Sequence, residues 1–375
     1  MMSKTLIIGA GLAGAAAARE LAAFGRQVLL VEESGAIGGK VRGYGCKATG
    51  RGASLKCANC GLCLAKGLWD DVEKSRLIDI RLDTKLVDLR GEKGNYTAAL
   101  KSGSQVSFET GISGVIIASG FKNITKTGFN GFVEIESSFP SGASSVIMGN
   151  DIELLMKGRT ETALFEKAPG SIAFIQCFGS KDIKENAMYC SRVCCAYSTR
   201  AAKVIKQYYP DCDITFFYME MQQVRGASKA GGGNYFDELK QLGVNFIKCR
   251  PVKIRDASPA RVTFDNPETG RREELAFDLV VLSDGIRPAD GAAKLAELCG
   301  LGQTEAGFLR YVNGTNFADS GAGSGADRST DSGAGSGADC GGVYITGCAK
   351  GPAKIEEVYA DSIAVARRIS AGGKP

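Results

Sequence analysis

The chain has 375 residues, and its 46 basic and 41 acidic residues leave a formal net charge of only +5. The charges form neither a basic block nor an aromatic-basic stripe, so nucleic acid is not indicated as a partner. Histidine is absent, which excludes Ser-His-Asp and Cys-His catalytic systems and histidine metal sites. The length predicts two or three domains that need no metal or disulfide merely to stay folded.

Cysteine is abundant for a chain of this length, with 13 residues. Several are clustered as C-x2-C-x2-C or Cys-Cys, which indicates metal binding in a reducing compartment. The start of the chain superficially resembles a signal peptide, but its glycines stand at nucleotide-binding spacing. No segment approaches the roughly 20 apolar residues that a membrane span needs. We therefore expect a soluble cytoplasmic protein without a membrane span.

Residues 4 to 33 predict a strand, a glycine turn, a helix and a second strand. Gly9 allows the tight turn, Gly11 lets the backbone approach a pyrophosphate, and Gly14 lets the helix pack close to the sheet. Glu32 ends the second strand, where a carboxylate can accept the ribose hydroxyls of an adenosine. This unit predicts a dinucleotide site.

Further along, residues 37 to 40 bring a second glycine pair close to such a cofactor, as in flavoproteins with two dinucleotide-binding domains, which favours FAD over NAD. Residues 77 to 120 predict alternating strands, and the last of them resembles the A-T-G strand of those flavoproteins, with serine in place of threonine. The candidate cofactor-binding residues up to this point are Gly9, Ala10, Gly11, Leu12, Ala13, Gly14, Glu32, Glu33, Gly38, Gly39, Lys40, Ala118, Ser119 and Gly120.

Cys57, Cys60 and Cys63 have the spacing that begins a bacterial ferredoxin run. Gly67 stands where the fourth cysteine would be, so a fourth ligand must come from elsewhere. Cys46 is the best candidate because it is close in sequence. We expect a [4Fe-4S] cluster here, called the second cluster because a first one is predicted further along the chain. A zinc site and a dithiol are the competing interpretations.

Residues 171 to 283 again predict nucleotide-domain architecture, with a first strand over SIAFIQCF and a helix near residues 198 to 208. In an NAD(P)H-dependent flavoprotein the first strand leads into GxGxxG. Here it leads into Cys177 and a stretch with a single glycine. We therefore expect the nicotinamide site to be missing.

Four cysteines, called the quartet below, occupy that place: Cys177, Cys190, Cys194 and Cys195. Thiolates suit a four-iron cluster, and this set supplies all four of its corners. A structural zinc site is the main competitor, since zinc accepts four thiolates equally well. A vicinal disulfide and simply buried cysteines are two weaker competitors.

Toward the end of the chain, the word DSGAGSGAD occurs at 319 to 327 and again at 331 to 339. This tract predicts a mobile surface insert over 318 to 342. The strand after it carries Gly347 and Cys348 and resembles the one that closes a flavin site, where Asp usually follows the glycine. We interpret Cys348 as a buried filler rather than a redox group. The pattern assigns no role to Cys212, Cys249, Cys299 or Cys340.

The chain resembles the heterodisulfide reductase A-subunit family. The resemblance is clearest in residues 174 to 202, 136 to 138, 285 to 288 and 347 to 352, and it covers nearly the whole chain apart from the tract around 318 to 342. The resemblance implies an α/β fold of two Rossmann-like domains of the FAD/NAD(P)-disulfide-reductase type, the second degenerate and carrying an iron–sulfur cluster on the quartet. It also implies a cytoplasmic, often dimeric FAD and iron–sulfur electron hub in a larger complex acting on disulfides or related sulfur compounds. The ferredoxin modules of long members do not occur in this sequence.

The sequence therefore resembles the short A-subunit-like proteins of sulfur-oxidising heterodisulfide-reductase-like complexes, and more distantly the A subunit of quinone-interacting complexes in sulfate reducers. We expect an oxidoreductase subunit that works with partner subunits. The expected domains are FAD-binding at 1–160 and 286–375, and cluster-binding at 161–285. The rival interpretations are an NAD(P)H-dependent flavin disulfide reductase and a non-catalytic assembly subunit.

Overall fold

The computed structural model describes residues 4–50, 55–127, 129–137, 144–158, 164–222, 235–312 and 341–371. Cys340 and all but the last two residues of the predicted insert lie outside this part. The helices are α1 (Leu12–Ala23), α2 (Leu68–Lys74), α3 (Gly149–Gly158), α4 (Cys194–Tyr208), α5 (Tyr235–Gln241), α6 (Ala292–Leu298) and α7 (Ile355–Ala371). The strands are β1 (Lys4–Ile8), β2 (Gln27–Val31), β3 (Ile78–Arg81), β4 (Thr84–Glu92), β5 (Asn95–Ser102), β6 (Gln105–Ile117), β7 (Phe121–Lys122), β8 (Glu134–Ser137), β9 (Val146–Met148), β10 (Ser171–Phe178), β11 (Asp213–Phe217), β12 (Asn245–Ile247), β13 (Lys253–Asp256), β14 (Ala260–Asp265), β15 (Arg272–Phe277), β16 (Leu279–Asp284), β17 (Arg287–Pro288), β18 (Gly302–Gln303), β19 (Leu309–Arg310) and β20 (Val343–Ile345).

The first compact unit consists of residues 1–42, 61–122 and 287–375. Its sheet has the order β3-β2-β1-β6-β5-β4, and β20 pairs with β6. β1, β2, β3 and β20 run parallel in this sheet, whereas β4, β5 and β6 form an antiparallel meander. The alanine-rich α1 buries most of its residues and contacts α7. The predicted strand–turn–helix–strand at the start of the chain is confirmed.

The second compact unit consists of residues 43–60 and 123–286. Its main sheet has the order β12-β11-β10-β16-β9 and is parallel throughout. Phe174 of β10 stacks on Phe216 of β11 with ring centroids 4.7 Å apart, in the core between this sheet and its helices. A four-stranded sheet of order β15-β14-β13-β8 completes the unit.

The structure divides the chain differently from the expected ranges. Residues 123–160 fall in the second unit because β9 pairs with β16. The meander of β13, β14 and β15 was not predicted. The helix expected near 198 to 208 begins earlier, at Cys194, so two quartet cysteines form its first turn. Among the described residues, no helix is long and apolar enough to cross a membrane.

Candidate functional site

The turn between β1 and α1 in the first unit is built for close contact between backbone segments. A Cβ atom on Gly9 would lie 2.4 Å from the carbonyl oxygen of Ala118, and one on Gly14 would lie 1.8 Å from that of Gly9. Gly11 precedes α1 and no side chain caps the helix. The first amides of α1 are therefore free for an anion, as at a pyrophosphate site.

The carboxylate of Glu32 follows directly after β2 and faces this turn. One oxygen accepts the backbone amide of Ala10 at 2.7 Å, and the other accepts the amide and the hydroxyl of Ser34 at 3.0 and 2.7 Å. This places a negative charge where the fold binds an adenosine ribose. Glu33, also a candidate, is exposed and forms only a 3.7 Å surface pair with Lys85.

The second glycine pair closes over the same turn. The amide of Gly38 donates to the Ala10 carbonyl at 2.8 Å, and a Cβ on Gly39 would lie 3.0 Å from the Cα of Gly11. Across the sheet, the hydroxyl of Ser119 is buried and has no hydrogen-bond partner in the described structure. An unsatisfied buried hydroxyl in a dinucleotide fold fits a polar cofactor atom.

The closing strand differs from the expected pattern at Cys348. The carboxylate of Asp361 in α7 accepts hydrogen bonds from the Gly347 amide at 2.9 Å and from the Thr346 hydroxyl at 2.7 Å. It therefore lies next to the two residues that follow β20. The thiol of Cys348 is 7% exposed and lies 3.7 Å from the carbonyl of Ala353. Sequence reasoning missed Asp361, because it lies in α7, outside the closing-strand motif.

The quartet lies at the carboxyl end of β10 in the second unit. Cys177, Cys194 and Cys195 are only 4%, 1% and 4% exposed, and they pack together in one buried cluster. Cys190 approaches from the loop between β10 and α4 and is half-buried. The structure thus brings these four predicted ligands to one place, where a parallel dinucleotide domain ordinarily receives its ligand.

Backbone strain is concentrated in the loop that carries the quartet. Cys177, Lys181 and Arg192 have φ of 59°, 52° and 62°, in the left-handed region that non-glycine residues avoid. Such conformations cost on the order of 1–3 kcal/mol each and are typical of functional sites. The surrounding structure must therefore hold the thiols in place.

The thiols of the quartet cannot all ionise by themselves. Hydrogen bonds from Cys177 and Cys195 lower the pKa of Cys194, whereas the hydrogen bond to Cys194 and then burial raise the pKa of Cys177 and of Cys195. Burial also raises the pKa of Cys190. Several buried thiolates at one point need a positive centre among them. The free amides at the N-terminus of α4 supply only a partial positive charge.

Two buried hydroxyls lie beside the quartet. That of Ser180 is inaccessible and has no hydrogen-bond partner within the described structure, whereas that of Ser191, equally inaccessible, lies close enough to Cys194 to lower the pKa of its thiol. Gly285 makes room for both, because its Cβ would lie 2.2 Å from the Ser180 hydroxyl and 2.8 Å from the Ser191 Cβ. Such hydroxyls fit sulfur atoms that accept hydrogen bonds. Neither serine was predicted from the sequence.

Two of the predicted ligands share one local geometry. The amide of Arg192 donates to the sulfur of Cys190 at 3.3 Å, and the amide of Asn59 donates to the sulfur of Cys57 at 3.3 Å. In both turns the donor residue has a positive φ, 62° for Arg192 and 48° for Asn59. Amide hydrogen bonds of this kind stabilise a thiolate and set the potential of a bound cluster.

Cys46, Cys57, Cys60 and Cys63, called the second cysteine group below, are less buried than the quartet. Cys46 and Cys57 are exposed, Cys60 is half-buried, and all three belong to the second unit. Cys63 lies in a 3₁₀ turn of the first unit and is exposed. No disulfide joins any of the cysteines in the described part of the chain. Within that part, no three Cys, Asp or Glu side chains are arranged around a point suited to a single metal ion.

Two contacts, the first of them buried, anchor the segment that carries Cys46, Cys57 and Cys60. Lys47 donates to Glu153 of α3, with side chains only 5% and 8% exposed. Arg200 of α4 donates to the carbonyl oxygens of Ala58 and Asn59 at 2.9 and 2.7 Å. The sequence contained no signal for either contact, since each joins residues about a hundred or more positions apart.

Comparison with known proteins supports the predicted dinucleotide-binding fold. A family model for an NAD(P)-binding Rossmann-like domain matches residues 7–56. Solved structures with the same fold include the thioredoxin reductase of T. acidophilum (TM-score 0.58, 15% identity, 98% of this chain and 97% of that one). Another is the bacillithiol disulfide reductase of Bacillus cereus (TM-score 0.54, 15% identity, 100% of both chains). The predicted fold class is therefore confirmed.

Curated relatives carry more specific names. The A subunit of the H(2):CoB-CoM heterodisulfide,ferredoxin reductase of Methanothermobacter thermautotrophicus is 29% identical over 60% of this chain and 32% of its own length. A heterodisulfide reductase A-subunit-like protein of Archaeoglobus profundus is 30% identical over 69% and 37%. An iron-sulfur A subunit of Methanopyrus kandleri CoB–CoM heterodisulfide reductase is 24% identical over 97% and 63%. The chain spans about a third of the length of the first two, and these relatives confirm the resemblance seen in the cysteine motif.

Proposed function

We propose that this chain, a relative of the heterodisulfide reductase A subunits, is an FAD and iron–sulfur electron-transfer subunit of a heterodisulfide-reductase-like complex. In this proposal the first unit holds FAD and the quartet holds a [4Fe-4S] cluster. The observation that carries it is the packing of Cys177, Cys194 and Cys195 at the carboxyl end of β10, with Cys190 close enough to interact with Cys194. An NAD(P)H-dependent flavoprotein would bind its second nucleotide there.

Each residue of the first unit would have a defined part in binding the flavin. The uncapped start of α1 would bind the pyrophosphate, with Gly9 and Gly14 allowing the close approach. Glu32 would exchange its present hydrogen bond to the Ala10 amide for bonds to the ribose. Ser119 would satisfy its buried hydroxyl on the cofactor. Bound FAD would supply two-electron chemistry.

The residues of the second unit would keep the quartet thiols deprotonated and shielded from water. A bound cluster would supply one-electron transfer and the positive charge that several buried thiolates need. The N-terminus of α4, the Arg192 amide and the hydroxyls of Ser180 and Ser191 would then hydrogen-bond the sulfur atoms. These contacts favour a negatively charged cluster in a buried place.

A second [4Fe-4S] cluster on Cys57, Cys60 and Cys63, with Cys46 as the fourth ligand, is part of the proposal. It is supported by the amide that donates to Cys57 in the same geometry as at Cys190. Electrons would leave or enter through partner proteins of the complex, and the proposed state of the chain is a cytoplasmic homodimer. The protein would serve disulfide or thiol metabolism.

Anaerobic purification followed by metal and flavin analysis tests the proposal. The expected protein is yellow-brown, with one FAD and, at four irons per cluster, about eight irons per chain. Addition of NAD(P)H to the isolated protein is expected to leave the flavin oxidised, whereas dithionite reduces it. A colourless protein with zinc and no iron would contradict the proposal, and rapid bleaching by NAD(P)H would favour an independent disulfide reductase instead.

A further inference from the structure

The second cysteine group is attached to the helix that begins at the quartet. Arg200 of α4 donates from Nε to the Ala58 carbonyl at 2.9 Å and from a terminal nitrogen to the Asn59 carbonyl at 2.7 Å. These two peptides lie between Cys57 and Cys60, so a single guanidinium holds the turn that separates the two thiols. A planar arginine fork is well suited to fixing two acceptors at once.

The contact with Ala58 also acts on the sulfur of Cys57. The carbonyl of Ala58 and the amide of Asn59 belong to the same peptide group, and that amide donates to the Cys57 sulfur at 3.3 Å. A cation on the carbonyl side polarises the peptide and strengthens the hydrogen bond on its amide side. Arg200 therefore both orients this N–H···S bond and increases its strength.

The same helix connects this anchor to the quartet. Cys194 and Cys195 form the first turn of α4, and Arg200 follows five residues after Cys195. At a rise of about 1.5 Å per residue, this separation is about 8 Å along the axis. A rigid element thus sets the distance between the anchored turn and the quartet. A second contact, from the Gly50 amide to Gln207 of α4 at 2.8 Å, holds the same segment further along.

We propose that Arg200 is a positioning residue for the second cluster, which it fixes through the 58–59 peptides at a set distance from the quartet. This inference depends on the proposed function, because it requires iron at both cysteine groups. Its physical content is specific to Arg200: loss of the guanidinium removes a positive charge and weakens the hydrogen bond to Cys57. Both changes make reduction of the second cluster less favourable, and the quartet cluster, which keeps its own hydrogen bonds and loses only the more distant charge, should change less.

The test compares the full-length wild-type protein with Arg200→Gln, Arg200→Lys and Gln207→Ala. Gln207→Ala is the matched control, because it removes another contact of α4 with the same segment but leaves the 58–59 peptides untouched. Iron content, electron paramagnetic resonance of the reduced protein, and redox titration are measured after anaerobic purification. For Arg200→Gln we expect either loss of about half the iron or a lower midpoint potential for one cluster, with a smaller change for the other.

The lysine variant is expected to recover iron and to give an intermediate potential, since it restores the charge but only one donor direction. The control should match wild type. The inference is overturned if Arg200→Gln keeps both wild-type potentials and all the iron, or if Gln207→Ala has the same effect. If the wild-type protein binds only about four irons and loses all of them when Cys190 is replaced, there is no second cluster and the inference is overturned. The proposal of a cluster on the quartet would still stand. A wild-type protein without iron would instead refute the proposed function itself.

Discussion

Replacement of Lys47 by methionine should strongly destabilise the second unit. Lys47 and Glu153 are 5% and 8% exposed and hydrogen-bond to each other, so the change leaves a carboxylate buried without its cation. Breaking a buried pair by removing one partner costs about 3–5 kcal/mol. At about 2–4 °C per kcal/mol for a unit of this size, the melting temperature should fall by about 6–20 °C.

The stability lost on replacing Lys47 should be larger at neutral pH than at low pH. Burial raises the pKa of Glu153 even with Lys47 beside it, and the lysine's removal can only raise it further. The folded state then binds a proton more tightly than the unfolded state, so stability is greatest below the unfolded value of about 4.3 and falls as pH rises through the folded pKa. Protonation of Glu153 at low pH should therefore recover part of the lost stability.

Thermal or urea unfolding at several pH values, followed by circular dichroism, measures this effect. The double variant Lys47→Met/Glu153→Gln is the control, because it removes the charge as well as its partner. We expect it to be more stable than Lys47→Met at neutral pH and to lack the additional pH dependence. Equal stability of wild type and Lys47→Met at neutral pH would refute the reasoning, as would a single variant that becomes more stable with rising pH.

Three further substitutions test the two sites. Gly14→Ala should abolish FAD retention and lower the melting temperature, because its Cβ would lie 1.8 Å from the Gly9 carbonyl oxygen; retained flavin at wild-type stoichiometry would contradict this. Cys348→Ala should leave the rate of flavin reduction by dithionite within about twofold, as expected of a small buried filler. Gly285→Ala should cost about 1–3 kcal/mol by overpacking and reduce iron content, because its Cβ would lie 2.2 Å from the Ser180 hydroxyl. A Gly285→Ala protein with the iron content of wild type would contradict the proposal that Gly285 borders the cluster site.

The elements that follow from local pattern were predictable. The glycine spacing from Gly9 to Gly14 and the acid at Glu32 gave the dinucleotide turn, because their roles depend on the backbone within one βαβ unit. Cys177 and the cysteines up to Cys195 could be grouped for a similar reason, since they stand where the first strand of such a unit ends. The structure brings Cys177, Cys194 and Cys195 together in one buried cluster.

What the sequence did not reveal depends on contacts distant in the chain. Arg200 reaches back about 140 residues to the carbonyl oxygens of Ala58 and Asn59. The helix expected near 198 to 208 begins earlier, at Cys194, so Cys194 and Cys195 lie in its first turn. No side chain caps the N-terminus of this helix. Helix termini are set by such tertiary contacts as much as by propensity.

The most direct test of the central claim is the iron bound by the quartet. Cys190→Ala removes the least buried of the four thiols, and Cys212→Ala, which removes a buried cysteine from a separate apolar core, is the control. Iron analysis and Mössbauer spectroscopy of protein enriched in ⁵⁷Fe should show that Cys190→Ala loses or alters one four-iron cluster while FAD remains bound. Cys212→Ala should match wild type. An unchanged spectrum for Cys190→Ala, or pyridine nucleotide bound in the second unit of wild type, would contradict the account.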